Sequence, residues 1–320
     1  MTKQTKDKMG AFLDKYVISI HKLHAIMRNL DKPGKLEKVL EEHNLSQKDL
    51  KAILKSTSRK PQEGLTLDIP DKYVKIGYFS DPHIGHNRCR EDGFELMSRV
   101  FEKEGVQFIL CPGDHLEGMS GRPGHIYELD QLGFTAQANK AVELYDALGL
   151  PIFGIDGNHD GWYQDKGNAG IIVGEDLENR VKNYTHLGQD EGDLILKAKG
   201  KKPVVIKLFH GRDGTAYADS YKIQKLIESF TGGEKPNVVL SGHYHKSLFL
   251  ARRNVFGFEC GTLCGQSRFM RGKKLQAHQG FGIIDLYVGD EGVDRLKHEW
   301  IQLYEKNDVK KTTKRIKLQS

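Results

Sequence analysis

Residues 73–83 read YVKIGYFSDPH: an apolar run that ends on a carboxylate and an imidazole two positions apart, Asp81 and His83. The same device returns four times along the chain. QFILCPGDH (107–115) ends on Asp114 and His115, and PIFGIDGNHD (151–160) ends on Asn158, His159 and Asp160. VVIKLFHG (204–211) delivers His210, and VVLSGHYH (238–245) delivers His243 and His245. Four of these runs have the length and apolar, β-branched content of a buried strand, and PIFGID is strand-like but shorter. Each cluster carries a glycine, Gly85, Gly113, Gly157, Gly211 or Gly242, where the chain must turn to present its polar group. Polar donors at the ends of several buried strands describe a sheet aiming ligands from distant parts of the chain at one point.

Working outward, strand and helix alternate from Tyr73: a strand at 73–80, a helix over about 92–104, a strand at 107–113, a helix over about 134–148 and a strand at 151–156. This is the rhythm of an α/β domain. A further strand, a helix near 217–230 and another strand follow. The runs SLFLARR, VFGFECG, FGIIDLYV and LKHEWIQLYE then predict antiparallel strands forming a second sheet packed on the first.

The flanks differ. In residues 1–60, Tyr16, Ile20, Leu23, Met27 and Leu30 lie on one helical stripe that Pro33 and Gly34 end. Two shorter helices follow, the third starting at Ser46–Asp49 and exposing Lys48, Lys51 and Lys55. This small helical domain resembles a helix-turn-helix module, and a packing or oligomerisation role fits the same pattern. Residues 61–72, polar and proline-containing, read as a linker, 73–304 as the catalytic domain and 305–320 as a basic tail. The net charge of +6 is uneven: residues 1–60 carry +7 and 305–320 carry +4, so the remainder is acidic. Basic arms around an acidic body suit a polyanion such as nucleic acid, or are simply solvated. The four cysteines make no disulfide framework for 320 residues, and Cys260 with Cys264 form a C-x3-C pair. The N-terminus lacks a secretory h-region and no apolar run reaches the ~20 residues of a membrane span, so a cytoplasmic protein without a membrane partner is expected.

Asp81, His83, Asp114, Asn158, His210, His243 and His245 mix nitrogen and oxygen donors without thiolate, which suits manganese, iron, zinc, cobalt or nickel. Seven donors exceed one tetrahedral site and fit two ions sharing a carboxylate. Such pairs clamp the oxygens of a phosphoryl transfer.

The series D-x-H, GD, GNH[DE], H and GHxH resembles the calcineurin-like metallophosphoesterases, over about residues 73–300. The resemblance implies a β-sandwich flanked by helices, with the site at strand ends between the sheets. It also implies two divalent transition metal ions, manganese foremost. Asp81, His83 and His245 would hold one ion, Asn158, His210 and His243 the other, with Asp114 bridging. His159 would stabilise the phosphate and protonate the leaving oxygen, Asp160 would orient its ring, and a hydroxide between the metals would attack. The Asp-Arg-Gly that follows GD in the Ser/Thr phosphatases of the superfamily is missing from GDHLEGMSGRPGH, which argues against that substrate class. His86, Arg88, His115, Arg122 and His125 are candidate substrate contacts. Residues 261–280, with Arg268, Arg271, Lys273 and Lys274, are a candidate second wall. Together these features predict a phosphodiesterase, nuclease-like if the diester lies in DNA or RNA. The alternatives are a phosphatase or phosphodiesterase of small nucleotides or phosphoproteins, and a non-catalytic scaffold or accessory subunit. The last is disfavoured because every ligand is kept.

Overall fold

A computed structural model describes residues 64–165, 170–231 and 235–304. The helical module read over 1–60 and the basic tail 305–320 lie outside the described residues. Two six-stranded mixed sheets face each other. The first runs in the order β12 (Val293–Gln302), β11 (Gly280–Val288), β2 (Tyr73–Tyr78), β3 (Phe108–Cys111), β4 (Ile152–Asp156), β5 (Tyr184–Gln189). The second runs β1 (Leu65–Ile69), β6 (Glu191–Ala198), β7 (Val204–His210), β8 (Val238–Gly242), β10 (Val255–Cys260), β9 (Ser247–Arg252).

Alternation along the strands builds the layers. Val74, Ile76 and Tyr78 of β2 turn inward with Phe108 and Leu110 of β3, and meet Leu194, Ile206, Leu208 and Leu240 of the second sheet. The odd face of β3, Ile109 and Cys111, packs outward against α1 (Glu91–Glu104) and α2 (Gly133–Asp146) through Met97, Phe101, Ala141 and Tyr145. Gly77 is bare because a β-carbon there would lie 2.6 Å from the Phe101 ring. On the far side, Ile223 and Ile227 of α5 (Tyr221–Ser229) cover Val239 and Val255. The result is a β-sandwich with helices on both outer faces.

Two expectations need correction. Residues 65–69 are not linker: they form β1, parallel to β6 in the register Leu65↔Leu194 to Ile69↔Ala198. Of its five residues only Ile69 is buried, so a polar composition is compatible with it. Second, the late strands do not all build the second sheet. β11 pairs antiparallel with β2, and β12 with β11, in the first sheet. Phe281 and Ile283 of β11 face the helix layer while Ile284 and Leu286 face the second sheet, so the strand is buried on both sides and must be internal. Four further elements, α3 (Asn158–Asp165), α4 (Val173–Arg180), β5 and β6, carried no clear sequence signal. Among the described residues, no helix is long and apolar enough to cross a membrane.

One buried carboxyl sits outside the site. Glu259 of β10 is 2% exposed and neither of its oxygens makes a well-formed hydrogen bond. Burial raises its pKa to about 7; Lys246 and the Ile223 amide only partly offset this. A folded pKa above the unfolded one gives stability that is full below about pH 4.5 and lost as the pH rises through 7. Glu259→Gln should therefore gain on the order of 2 kcal/mol relative to wild type between pH 5 and 8.5, several degrees in Tm. Equal differences in Tm at both pH values would show that the carboxyl is not held up.

Candidate metal centre

The donors stand at the carboxyl ends of parallel strands. Asp81 and His83 follow β2, Asp114 follows β3, and Asn158 and His159 follow β4 as the first residues of α3. His210 ends β7, and His243 and His245 follow β8. In open α/β sheets, ligands bind in the crevice at such ends. The backbone there is strained. Asp81 (φ 49°), His83 (47°), Asp114 (52°), His243 (82°) and His245 (54°) all occupy the left-handed region that non-glycine residues avoid. Gly113 (φ 102°) and Gly157 let the loops close: a β-carbon on the first would meet the His210 ring, and one on the second would strike Asp114.

The side chains converge in two groups. In the first, His83 Nε2 lies 3.0 Å from His245 Nε2, and His245 Nε2 lies 3.2 Å from Asp81 Oδ1. In the second, Asn158 Oδ1 is 2.7 Å from His243 Nδ1 and 3.1 Å from His210 Nε2. Asp114 Oδ2 sits between the groups, 3.7 Å from His83 Nε2 and 3.3 Å from His210 Nε2.

These residues fit a pair of cations. Two donors sharing an ion at ~2.1 Å lie ~3 Å apart, which matches the spacing of His83 and His245. Asp81 and Asp114 are 0% and 1% exposed, yet no lysine or arginine pairs with them among the described residues. Imidazoles and amides are their company: His243 N–H donates to Asp81 and His159 N–H to Asp114, the latter at 2.8 Å. Burial opposes their ionisation, but the surrounding imidazoles outweigh it: His245 and His210 lower the pKa of Asp81, and His210, His159 and His83 hold that of Asp114 well down. Burial pulls His210 down too, and Asp114 and Asp81 bring it up to about 10, whereas burial and His210 press His243 down to about 4. Cys260 and Cys264 belong to no potential metal group among the described residues.

His159 is oriented by a residue the sequence reading passed over. Its Nδ1 donates to the Glu117 carbonyl at 2.8 Å, its ring stacks on Trp162 with centroids 3.9 Å apart, and Nε2 is left for the cavity. The Glu117 carboxylate, 4% exposed, lies 2.8 Å from His83 Nδ1, 2.7 Å from His125 Nε2 and 3.4 Å from His159 Nδ1. Burial lowers the pKa of His159, but Asp114 and Glu117 outweigh it and bring it to about 9. The available signal was an acidic residue three positions after Asp114. Glu117→Gln should lower kcat by roughly 10- to 100-fold, the usual loss when a group holding a ligand is removed. Unchanged kinetics would mean that the three imidazoles hold themselves.

Several assignments change. Asp160 does not orient His159. Its carboxylate accepts from the His115, Leu116 and Gly157 amides at 3.1, 2.9 and 2.8 Å, tying the Asp114 loop to the Asn158 loop. Burial, then Asp156 and Asp114, push its pKa well up. His115 is not a substrate contact: it is 0% exposed, with its ring nitrogens 2.7 Å from the Tyr145 hydroxyl and 2.8 Å from that of Tyr184. The polar His115 side chain points into the helix layer because two tyrosines satisfy it there. His125, 2% exposed, faces Glu117 rather than the cavity.

Of the remaining candidates, His86 and Arg122 line the cavity above the donors, about 700 Å³ in volume, and Arg88 lines only a groove beside it. Within 261–280, the helix α6 (Arg268–Lys273) brings Phe269 and Met270 to the cavity wall, whereas Arg271 and Lys274 line neither space. Arg212, Asp213 and Tyr244, which the sequence did not single out, also line the cavity.

An uncharacterized metallophosphoesterase of Aquifex aeolicus (strain VF5) is 26% identical over 236 residues, covering 65% of this chain and 77% of that protein. Among solved structures, an archaeal phosphodiesterase aligns with a TM-score of 0.41 at 18% identity, over 71% of this chain and all of its own. A phosphoesterase from E. coli aligns at 0.38 and 15%, over 70% of this chain and 98% of its own. These structural likenesses are distant. The sequence model of the calcineurin-like phosphoesterases matches residues 74–247, more than half of the chain. On that match the chain belongs to the calcineurin-like phosphoesterase family, metal-dependent hydrolases of phosphoesters.

Proposed function

We propose that the chain hydrolyses a phosphodiester, with Asp81, His83 and His245 holding one divalent ion, Asn158, His210 and His243 a second, and Asp114 shared. When bound, the two ions supply Lewis-acid charge stabilisation and lower the pKa of water. The observation that carries the reading is the placement of His159: a non-ligand imidazole, locked through Nδ1 by Glu117, presents its other nitrogen beside the donor groups. From there it donates a proton to the oxygen that leaves phosphorus. Glu117 keeps Nδ1 protonated, so the ring is charged when its second proton is in place. A diester carries a substituent on each side of phosphorus, and the cavity of about 700 Å³, lined by segments 120–122, 212–215 and 264–276 besides the donors, has room for both. A nucleic acid supplies such a diester and suits the excess positive charge of residues 1–60 and 305–320. Manganese is the first metal to test with this mixed N/O donor set. Purified protein with Mn2+ should turn over bis-p-nitrophenyl phosphate faster than p-nitrophenyl phosphate. Preference for the monoester would sink the diester assignment, and inactivity with every divalent metal would sink the reaction.

A further inference from the structure

The cavity over the donors continues past its own wall. His86, Arg122, Ser267 and Phe269 line both it and a neighbouring groove of about 830 Å³. That groove is cationic. Arg88, Arg122, Arg268 and Lys273 line it, against one carboxylate, Glu128, which is already ion-paired with Arg122. Arg88, Arg268 and Lys273 have no ion pair among the described residues. It is also aromatic. Tyr127 is 86% exposed and Phe269 45% exposed, and the Arg122 guanidinium lies 4.8 Å from the centre of the Phe269 ring. Large rings left in water beside unpaired cations are what a polyanion with stackable bases needs: phosphates go to the cations, base faces to the rings. A duplex keeps its base faces stacked and hidden, so the rings select unpaired nucleotides.

We propose that this groove binds the strand flanking the scissile diester of a single-stranded polynucleotide. Its cations take the phosphates next to the one at the metal centre, and Tyr127 and Phe269 stack the adjoining bases. The proposal rests on the diesterase reading, and the test separates the two. Arg268, Lys273 and Tyr127 line the groove and not the metal cavity. In the full chain, Arg268→Gln with Lys273→Gln should leave bis-p-nitrophenyl phosphate turnover within about twofold of wild type, because that substrate never reaches the groove. For a fluorescent single-stranded dodecamer, affinity measured by anisotropy should fall about tenfold. The slope of log K against log salt should shrink by about 1.4, roughly 0.7 for each lost phosphate contact. Tyr127→Ala should weaken the single strand by at least about fivefold and leave the salt slope alone. Unchanged dodecamer affinity and slope, with small-substrate turnover intact, would overturn the groove. Equal losses on a blunt duplex of the same sequence would overturn the single-strand assignment. A wild-type chain that binds the dodecamer with these sensitivities but hydrolyses no diester would remove the catalytic reading and keep the groove.

Discussion

His159→Ala is expected to lower kcat by about 10²- to 10⁴-fold while the chain keeps two metal ions, the usual range for losing a positioned general acid. His159 is not among the donors of either group: its ring nitrogen Nδ1 is taken by the Glu117 carbonyl, and its neighbour Asn158 is the one that faces His210 and His243. The loss should depend on the leaving group. p-Nitrophenolate departs without much help, so bis-p-nitrophenyl phosphate should lose less than a diester whose leaving oxygen is an alkoxide. Equal losses on both would make His159 a phosphate-binding residue rather than an acid. Loss of metal in elemental analysis would make it part of the metal site.

Asp114→Asn should cost more. The carboxylate stands between the two donor groups, 3.7 Å from His83 Nε2 and 3.3 Å from His210 Nε2. Asparagine tolerates the left-handed backbone that Asp114 adopts, and its side-chain oxygen can still accept the His159 amide, so the fold should survive. What disappears is the shared negative charge. Metal content should fall from two ions per chain towards one or none. With the loss of several kcal/mol of charge stabilisation, kcat should fall on the order of 10³-fold or more. A variant that retains both ions and most of its activity would show that Asp114 is not shared.

The convergence of these strand-end residues was legible because each obeys a local rule. A buried strand that ends on Asp, Asn or His with a glycine within a few residues is visible within about ten residues, and β2, β3, β4, β7 and β8 each do this. The partners of those donors were not legible. Asp160 follows His159 directly and invites an assignment to its ring. The first turn of α3 instead points its carboxylate at three amides of the Asp114 and Asn158 loops. His115 follows Asp114, yet its ring enters the helix layer between Tyr145 and Tyr184, partners that lie 30 and 69 positions further along the chain. Glu117 gained its place only when the loop after β3 folded back to set one carboxylate against three imidazoles.

The sequence by itself determined the strand-end chemistry: which residue types are delivered, in what order and with what turns, since alternation and glycine placement act over a few residues. It also determined the α/β alternation up to β4. Only the tertiary structure decided which sheet each strand joins, as with β1 at the edge of the second sheet and β11 and β12 in the first. A strand's own pattern states how many of its faces are buried, not which partner supplies its hydrogen bonds. For the same reason only the fold could set the Arg122 and Phe269 walls against the donors and open the basic groove beside them. Arg122 and Phe269 are separated by more than a hundred positions, and closeness across that distance is a property of the packed sheets.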